Sequence, residues 1–243
     1  MRFLPFIALF FCSIGMSSDS KVLRVLGVDI AGVFDETPKG RERLVLETIA
    51  ECMGRKIELE LAPYGRHLSY FGISDKFDLV ATVPPGGKVS GFQSKSHIDY
   101  QNVVTTLKDF TGVISSVSDL KGLDVVSFKG ARSMLAGLED AIPTFKTYQE
   151  IAQQDLHTRM LMFKRVDAVI SDKYIFFSHT KRLQRLEPDR KQLFRETKTH
   201  EVFEPSKFTV SLKNQKLRDS FNRCLELRRQ EIAKINDNFI VPL

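Results

Sequence analysis

Tryptophan is absent, and histidine (5) and cysteine (3) are scarce, in a chain of 243 residues. The histidines stand at 67, 97, 157, 179 and 200, scattered rather than paired, and none sits in a recognised catalytic or metal motif. Cysteine is too sparse for a disulfide-built scaffold, and its spacing matches no metal site. Glycine (14) and proline (9) are not enriched, and no low-complexity linker or internal repeat interrupts the chain. Disorder is therefore not its main state. Walker loops, nucleophile elbows, RNP sequences and zinc fingers are also missing. The chain is accordingly expected to need no cofactor and no metal, and to bind no nucleic acid. Nothing functional follows from nineteen phenylalanines in a chain without tryptophan.

What is present begins with a leader. Arg2 supplies a positive start, residues 3–12 are apolar apart from Pro5, and small residues follow at Ser13, Gly15, Ser17 and Ser18. This is the layout of a secretory signal peptide, expected to span residues 1–18 and to direct the chain to the periplasm. No later stretch is long enough to cross a bilayer. Removal of the leader leaves Cys52 and Cys224. An oxidising compartment permits a bond between them; two buried free thiols are the default expectation. The net charge of +6 comes from lysines and arginines mixed with acids along the chain, as on a solvated surface.

The apolar pattern alternates between two periods. Val22–Val28 reads as a buried strand, residues 41–53 as an amphipathic helix stopped by Gly54, and residues 56–61 as a second strand. A turn at Pro63-Tyr64-Gly65 leads to a short helix over 66–71, and residues 77–83 form a third strand ended by Pro84-Pro85-Gly86-Gly87. The pattern then recurs. Strands are predicted over 103–108, 123–128, 166–170 and 208–212. Helices are predicted from Gly130 through Leu138, over 151–163 and 172–180, and as one long C-terminal segment. Such alternation predicts α/β architecture with largely parallel sheets in two lobes. The expected partition is residues 19–104 for the first lobe, 105–199 for the second, and 200–243 for a return to the first.

Four segments carry a resemblance. They are Val22-Leu-Arg-Val-Leu-Gly-Val28; Phe77-Asp-Leu-Val-Ala81 leading to Ser96-His-Ile-Asp-Tyr100, which looks like an "FS-x-PY" segment; Ser118-Asp-Leu-Lys-Gly-Leu-Asp-Val-Val126 followed by Gly130-Ala131; and Val166-Asp-Ala-Val-Ile-Ser-Asp172. In their order these resemble the periplasmic solute-binding proteins of family 3, the amino-acid-binding type, over nearly the whole mature chain. The resemblance implies a type II, two-lobed periplasmic binding protein-like fold with two crossing strands between the lobes. It also implies a cleft for a small-molecule ligand, an ABC permease or a membrane sensor as partner, and a monomer.

In open α/β sheets the residues just after the strands face the ligand. Asp29, Phe34, Tyr64, Arg66 and Thr82 are the candidates in the first lobe. Arg66 could grip a carboxylate, or hold a structural ion pair. In the second lobe, Gly130, Ala131, Arg132 and Ser133 open a helix whose N–H groups suit an anion or simply cap the turn. Asp172 follows a strand, where the family commonly places an acid for a ligand ammonium; an ordinary N-cap is the alternative. Tyr174 could line the same wall. Family members usually carry an arginine just before the "FS-x-PY" segment. Here the nearest cation is Lys88, a point charge without the planar fork, so the ligand need not be an α-amino acid. The expected activity is capture without chemistry: an amino acid or related metabolite bound for an ABC transporter. Sensing for a receptor, and a dehydratase-like enzyme on the same scaffold, are the alternatives. Closure is expected about hinges near residues 100–108 and 197–207.

Overall fold

The computed structural model describes residues 21–35 and 39–239; the expected leader lies outside them. The first sheet begins with β1 (Val22–Val28), followed by α1 (Arg41–Cys52), β2 (Lys56–Ala62), α2 (Arg66–Ile73), β3 (Leu79–Val83), β4 (Phe92–Gln93) and β5 (Ile98–Tyr100). The second comprises β6 (Asn102–Leu107), β7 (Asp124–Phe128), α3 (Ala131–Met134), α4 (Leu138–Ala141), β8 (Thr147–Ile151), α5 (Asp155–Met162), β9 (Ala168–Asp172), α6 (Lys173–Leu186) and β10 (Thr197–His200). The chain then returns through β11 (Ser206–Leu212) and ends in α7 (Gln215–Leu227) and α8 (Arg229–Asn238).

The first sheet runs β2-β1-β3-β11-β4, with β5 also paired to β11; the second runs β10-β6-β9-β7-β8. β1 is parallel to both β2 and β3, and β7 is parallel to both β8 and β9. The returning strand β11 is antiparallel to β3, and β6 is antiparallel to β9 and β10. The chain passes between the sheets twice, at Gln101 and over residues 201–205. Val103 and Val104 already belong to the second sheet, ahead of the partition at residue 104 that the sequence suggests.

The central strands are apolar because both their faces are covered. All five residues of β3 are buried, as are all five of β9. One face of the first sheet carries α1, α7 and α8 over a core containing Val25, Ile49 and Phe221. The other carries α2 over Leu26, Phe71 and Val80. In the second sheet, α3 and α4 cover one core, with α5 and α6 on the other side. Two α/β layers built around separate cores are the two lobes.

Several details differ from the sequence reading. Cys52 and Cys224 are joined, with Cα atoms 5.7 Å apart, so the default of free thiols is wrong. The last turn of α1 and the middle of α7 pack on the same face of the sheet, which brings two distant half-cysteines within bonding reach. The predicted helix from Gly130 to Leu138 is two single turns, because Gly137 adopts φ 76° between them. The helix predicted from residue 151 starts at Asp155. Ile151 instead ends the edge strand β8, whose polar, largely exposed Thr-Tyr-Gln-Glu run carries little strand signature. The long C-terminal helix is broken at Arg228 into α7 and α8.

Candidate functional site

A cavity of about 620 Å³ lies between the two sheets. Its first-lobe wall includes Asp29, Tyr64 and Thr82, and its second-lobe wall includes Phe128, Gln154, Asp172 and His179. Tyr100 and Asn102 reach it on either side of the first crossing. The volume falls in the range of sites that enclose small organic molecules, about 300–1,000 Å³.

Thr82 holds the first-lobe wall in an unusual state. Its φ is 55°, the left-handed region that β-branched residues avoid. The conformation is held by Glu42 of α1, a fully buried carboxylate. Thr82 donates its backbone N–H to Oε1 (2.9 Å) and its hydroxyl to Oε2 (2.8 Å). His97 Nε2 donates to Oε1 at 2.8 Å, and the Tyr100 hydroxyl donates to Oε2 at 2.7 Å. Burial alone would raise the Glu42 pKa. The bond from His97, the charge of that ring, and the bonds from Tyr100 and Thr82 outweigh it, and the pKa is lowered. Glu42 thus ties a cleft residue to the strand leading into the crossing. Beside it, burial pushes the Tyr64 hydroxyl up to about 12, with the negative charge of Glu42 adding to the effect.

Asp172 ends β9 and caps α6, and is only 3% exposed. Oδ1 accepts the backbone N–H groups of Tyr174 (2.9 Å) and Ile175 (3.0 Å). Oδ2 is buried with no partner. Burial raises this carboxyl's pKa, opposed by the charge of Arg41 and by the backbone donors. A buried carboxylate oxygen without a donor, on a cavity wall, favours a cationic donor beside it, even with Arg41 supplying part of the opposing charge.

Arg41 comes from the first turn of α1 and is 4% exposed. Its guanidinium lies 4.4 Å from the ring centre of Tyr174 in the second lobe and 4.9 Å from that of Tyr100. A Cβ on Gly32, in the loop after β1, would come within 2.3 Å of Ser178 Oγ on α6. Ile175 of α6 packs into the first core. The lobes therefore touch along α6.

Of the sequence candidates, Asp29, Tyr64, Thr82 and Asp172 line the cavity. Phe34 does not; it is 1% exposed and packs in the first core against Gly27. Arg66 and Lys88 are exposed, on the first turn of α2 and the loop after β3, and neither is on the wall. Tyr174 lies under Arg41 rather than on the wall. The proposed anion seat at Gly130, Ala131, Arg132 and Ser133 is already filled. Glu150 of β8 accepts the Gly130 and Arg132 N–H groups, each at 2.8 Å, and the Tyr148 hydroxyl at 3.0 Å. Ala131 is wholly buried, and the Ser133 hydroxyl turns back to the Gly130 carbonyl at 3.1 Å. The sequence reading missed Arg41, Glu42, Gln154, His179 and Arg182. For His179 there was a signal: Ile175, His179, Arg182, Leu183 and Leu186 recur at helical spacing and share the face of α6 that lines the cavity.

No family model and no curated protein matches the sequence. Solved structures do match in fold. An ancestral arginine-binding protein bound to arginine superposes with a TM-score of 0.69 at 18% identity, covering 91% of this chain and 99% of its own. The fold is that of the two-lobed periplasmic binding proteins. A histidine kinase sensor domain with similarity to periplasmic binding proteins gives a TM-score of 0.67 at 14% identity, covering 90% and 96%. An ancestral amino-acid-binding protein, a precursor of cyclohexadienyl dehydratase, gives 0.68 at 16%, covering 91% and 96%. Among the described residues no helix is long and apolar enough to cross a membrane, and no cluster of three or more His, Cys, Asp or Glu could hold a metal ion.

Proposed function

We propose that this protein is a solute-binding protein that captures a small molecule bearing a cationic group in the inter-lobe cavity and carries out no chemistry on it. The observation that carries this reading is Oδ2 of Asp172, buried on the cavity wall without a hydrogen-bond donor, where an ammonium would supply one. Closure follows from the two crossings at Gln101 and 201–205, with contacts from both lobes favouring the closed state. A disulfide fits an oxidising compartment, in keeping with export to the periplasm. There the monomer would deliver its solute to the permease of an ABC transporter. The sensor-domain neighbour favours a second reading, in which the closed form signals to a membrane receptor.

The test is a thermal-shift screen of amino acids, polyamines and small carboxylates, followed by calorimetry. Asp172→Asn keeps an oxygen to cap α6 and removes the charge. Its affinity for the identified solute is expected to fall tenfold or more, about 1.5–3 kcal/mol, with the melting temperature of the empty protein nearly unchanged. An unchanged affinity removes Asp172 from the site. Mass spectrometry of the released solute checks the absence of chemistry, and any conversion would favour the dehydratase-like alternative.

A further inference from the structure

The capture reading leaves a question of charge. An ordinary amino acid would bring a carboxylate as well as an ammonium, but the backbone seat at Gly130 and Arg132 is held by Glu150. Three cations reach the cavity wall: Lys129, Arg159 and Arg182. Lys129 is exposed just beyond β7. Arg159 is paired with Glu187. Arg182, exposed at the rim, has no ion-pair partner among the described residues.

One turn of α6 closer to Asp172 lies His179, 6% exposed, with both ring nitrogens buried and unpartnered. Burial depresses its pKa, opposed by the charge of Asp155 on the same wall and aided by that of Arg182, so at neutral pH the ring is an uncharged donor and acceptor. The side-chain oxygen of Gln154, which also lines the cavity, is likewise buried without a partner. Buried polar atoms in folded proteins are nearly always satisfied. Two such side chains in one arm of a cavity mark a place built for a polar guest.

We propose that this arm of the cavity is a second subsite, formed by His179, Gln154 and Arg182, which takes the carboxylate and adjoining amide of an elongated zwitterion whose ammonium sits at Asp172. The inference builds on the capture reading and adds the class of solute. Its length follows from the helix. Seven residues separate Asp172 from His179, about 10 Å along α6 at the usual rise. An extended peptide of three residues spans about 10 Å. The α-ammonium and α-carboxylate of a single amino acid stand too close together to reach both ends. Gln154 accepts a peptide N–H, His179 donates to the terminal carboxylate, and the Arg182 guanidinium closes over it from the rim.

Calorimetry on the intact protein with tri-alanine, tri-alanine amide and free alanine tests this. Tri-alanine is expected to bind at least tenfold more tightly than either of the others. Arg182→Gln changes an exposed residue and should leave the fold intact. It is expected to remove that advantage over the amide and leave affinity for the amide unchanged. His179→Leu should weaken tri-alanine by a similar factor. Equal binding of acid and amide, or tri-alanine affinity indifferent to both substitutions, overturns the subsite. So does silence of tri-alanine while another solute of the screen binds in an Asp172-dependent way, and that outcome leaves the capture reading standing. Silence of every probe and every screened solute ends both.

Discussion

The bond between Cys52 and Cys224 permits a prediction whose size can be worked out. It closes a loop of 172 residues containing the whole second sheet. In the chain-entropy treatment a loop of that length restricts the unfolded ensemble by about 5 kcal/mol. Both half-cysteines sit on one lobe, joining α1 to α7, so the native arrangement does not depend on the bond bridging the cleft. For a chain of this size each kcal/mol moves the melting temperature by about 2–4 °C. Reduction, or the pair Cys52→Ser with Cys224→Ser, is therefore expected to lower it by roughly 10–20 °C. Circular dichroism melts of oxidised, reduced and doubly substituted protein provide the measurement, with urea titration as an independent gauge of stability. Solute affinity below the transition should persist, since neither cysteine touches the cavity. A drop of less than about 3 °C would refute the entropic argument and show that the unfolded chain is already held compact.

Two further outcomes are expected. Glu42→Gln puts an amide where four donors converge and should cost about 3 kcal/mol in urea denaturation. Because the folded pKa of Glu42 lies below its ordinary 4.5, its ionised form contributes stability at neutral pH, and this is lost as pH falls through the folded value. Glu42→Gln should therefore flatten that part of the acid-unfolding curve; an unaltered curve would refute the assignment. Gly32→Ala places a methyl group against Ser178 at φ 84° and should open the lobes along α6. Small-angle scattering should show a larger radius of gyration, partly restored by adding Ser178→Gly; unchanged scattering would exclude this contact as a closure point.

The architecture was legible because the central strands must be apolar on both faces. Segments such as Val22–Val28 and Ala168–Asp172 announce themselves without any knowledge of their neighbours. Strand ends then point to Asp29, Thr82 and Asp172 as wall residues. Edge elements were less visible: β8 and β10 are polar strands at the two edges of the second sheet, so their pairing is decided by the sheet rather than by their own composition. The least visible feature was charge placement. Nothing in the local sequence around Glu150 says that its carboxylate will meet the amides of Gly130 and Arg132, 20 and 18 residues away. Phe34 misled for a related reason: a loop aromatic can turn inward as easily as outward, and the space above Gly27 received it.

Glu150 serves the amides of Gly130 and Arg132 from within the chain. Because it is covalently part of the chain, its effective concentration at those amides is far beyond what a free acid could reach in solution. A change as small as Glu150→Ala would leave two backbone donors at an exposed turn for water to take up, and with them the tie between that turn and the edge strand would be lost.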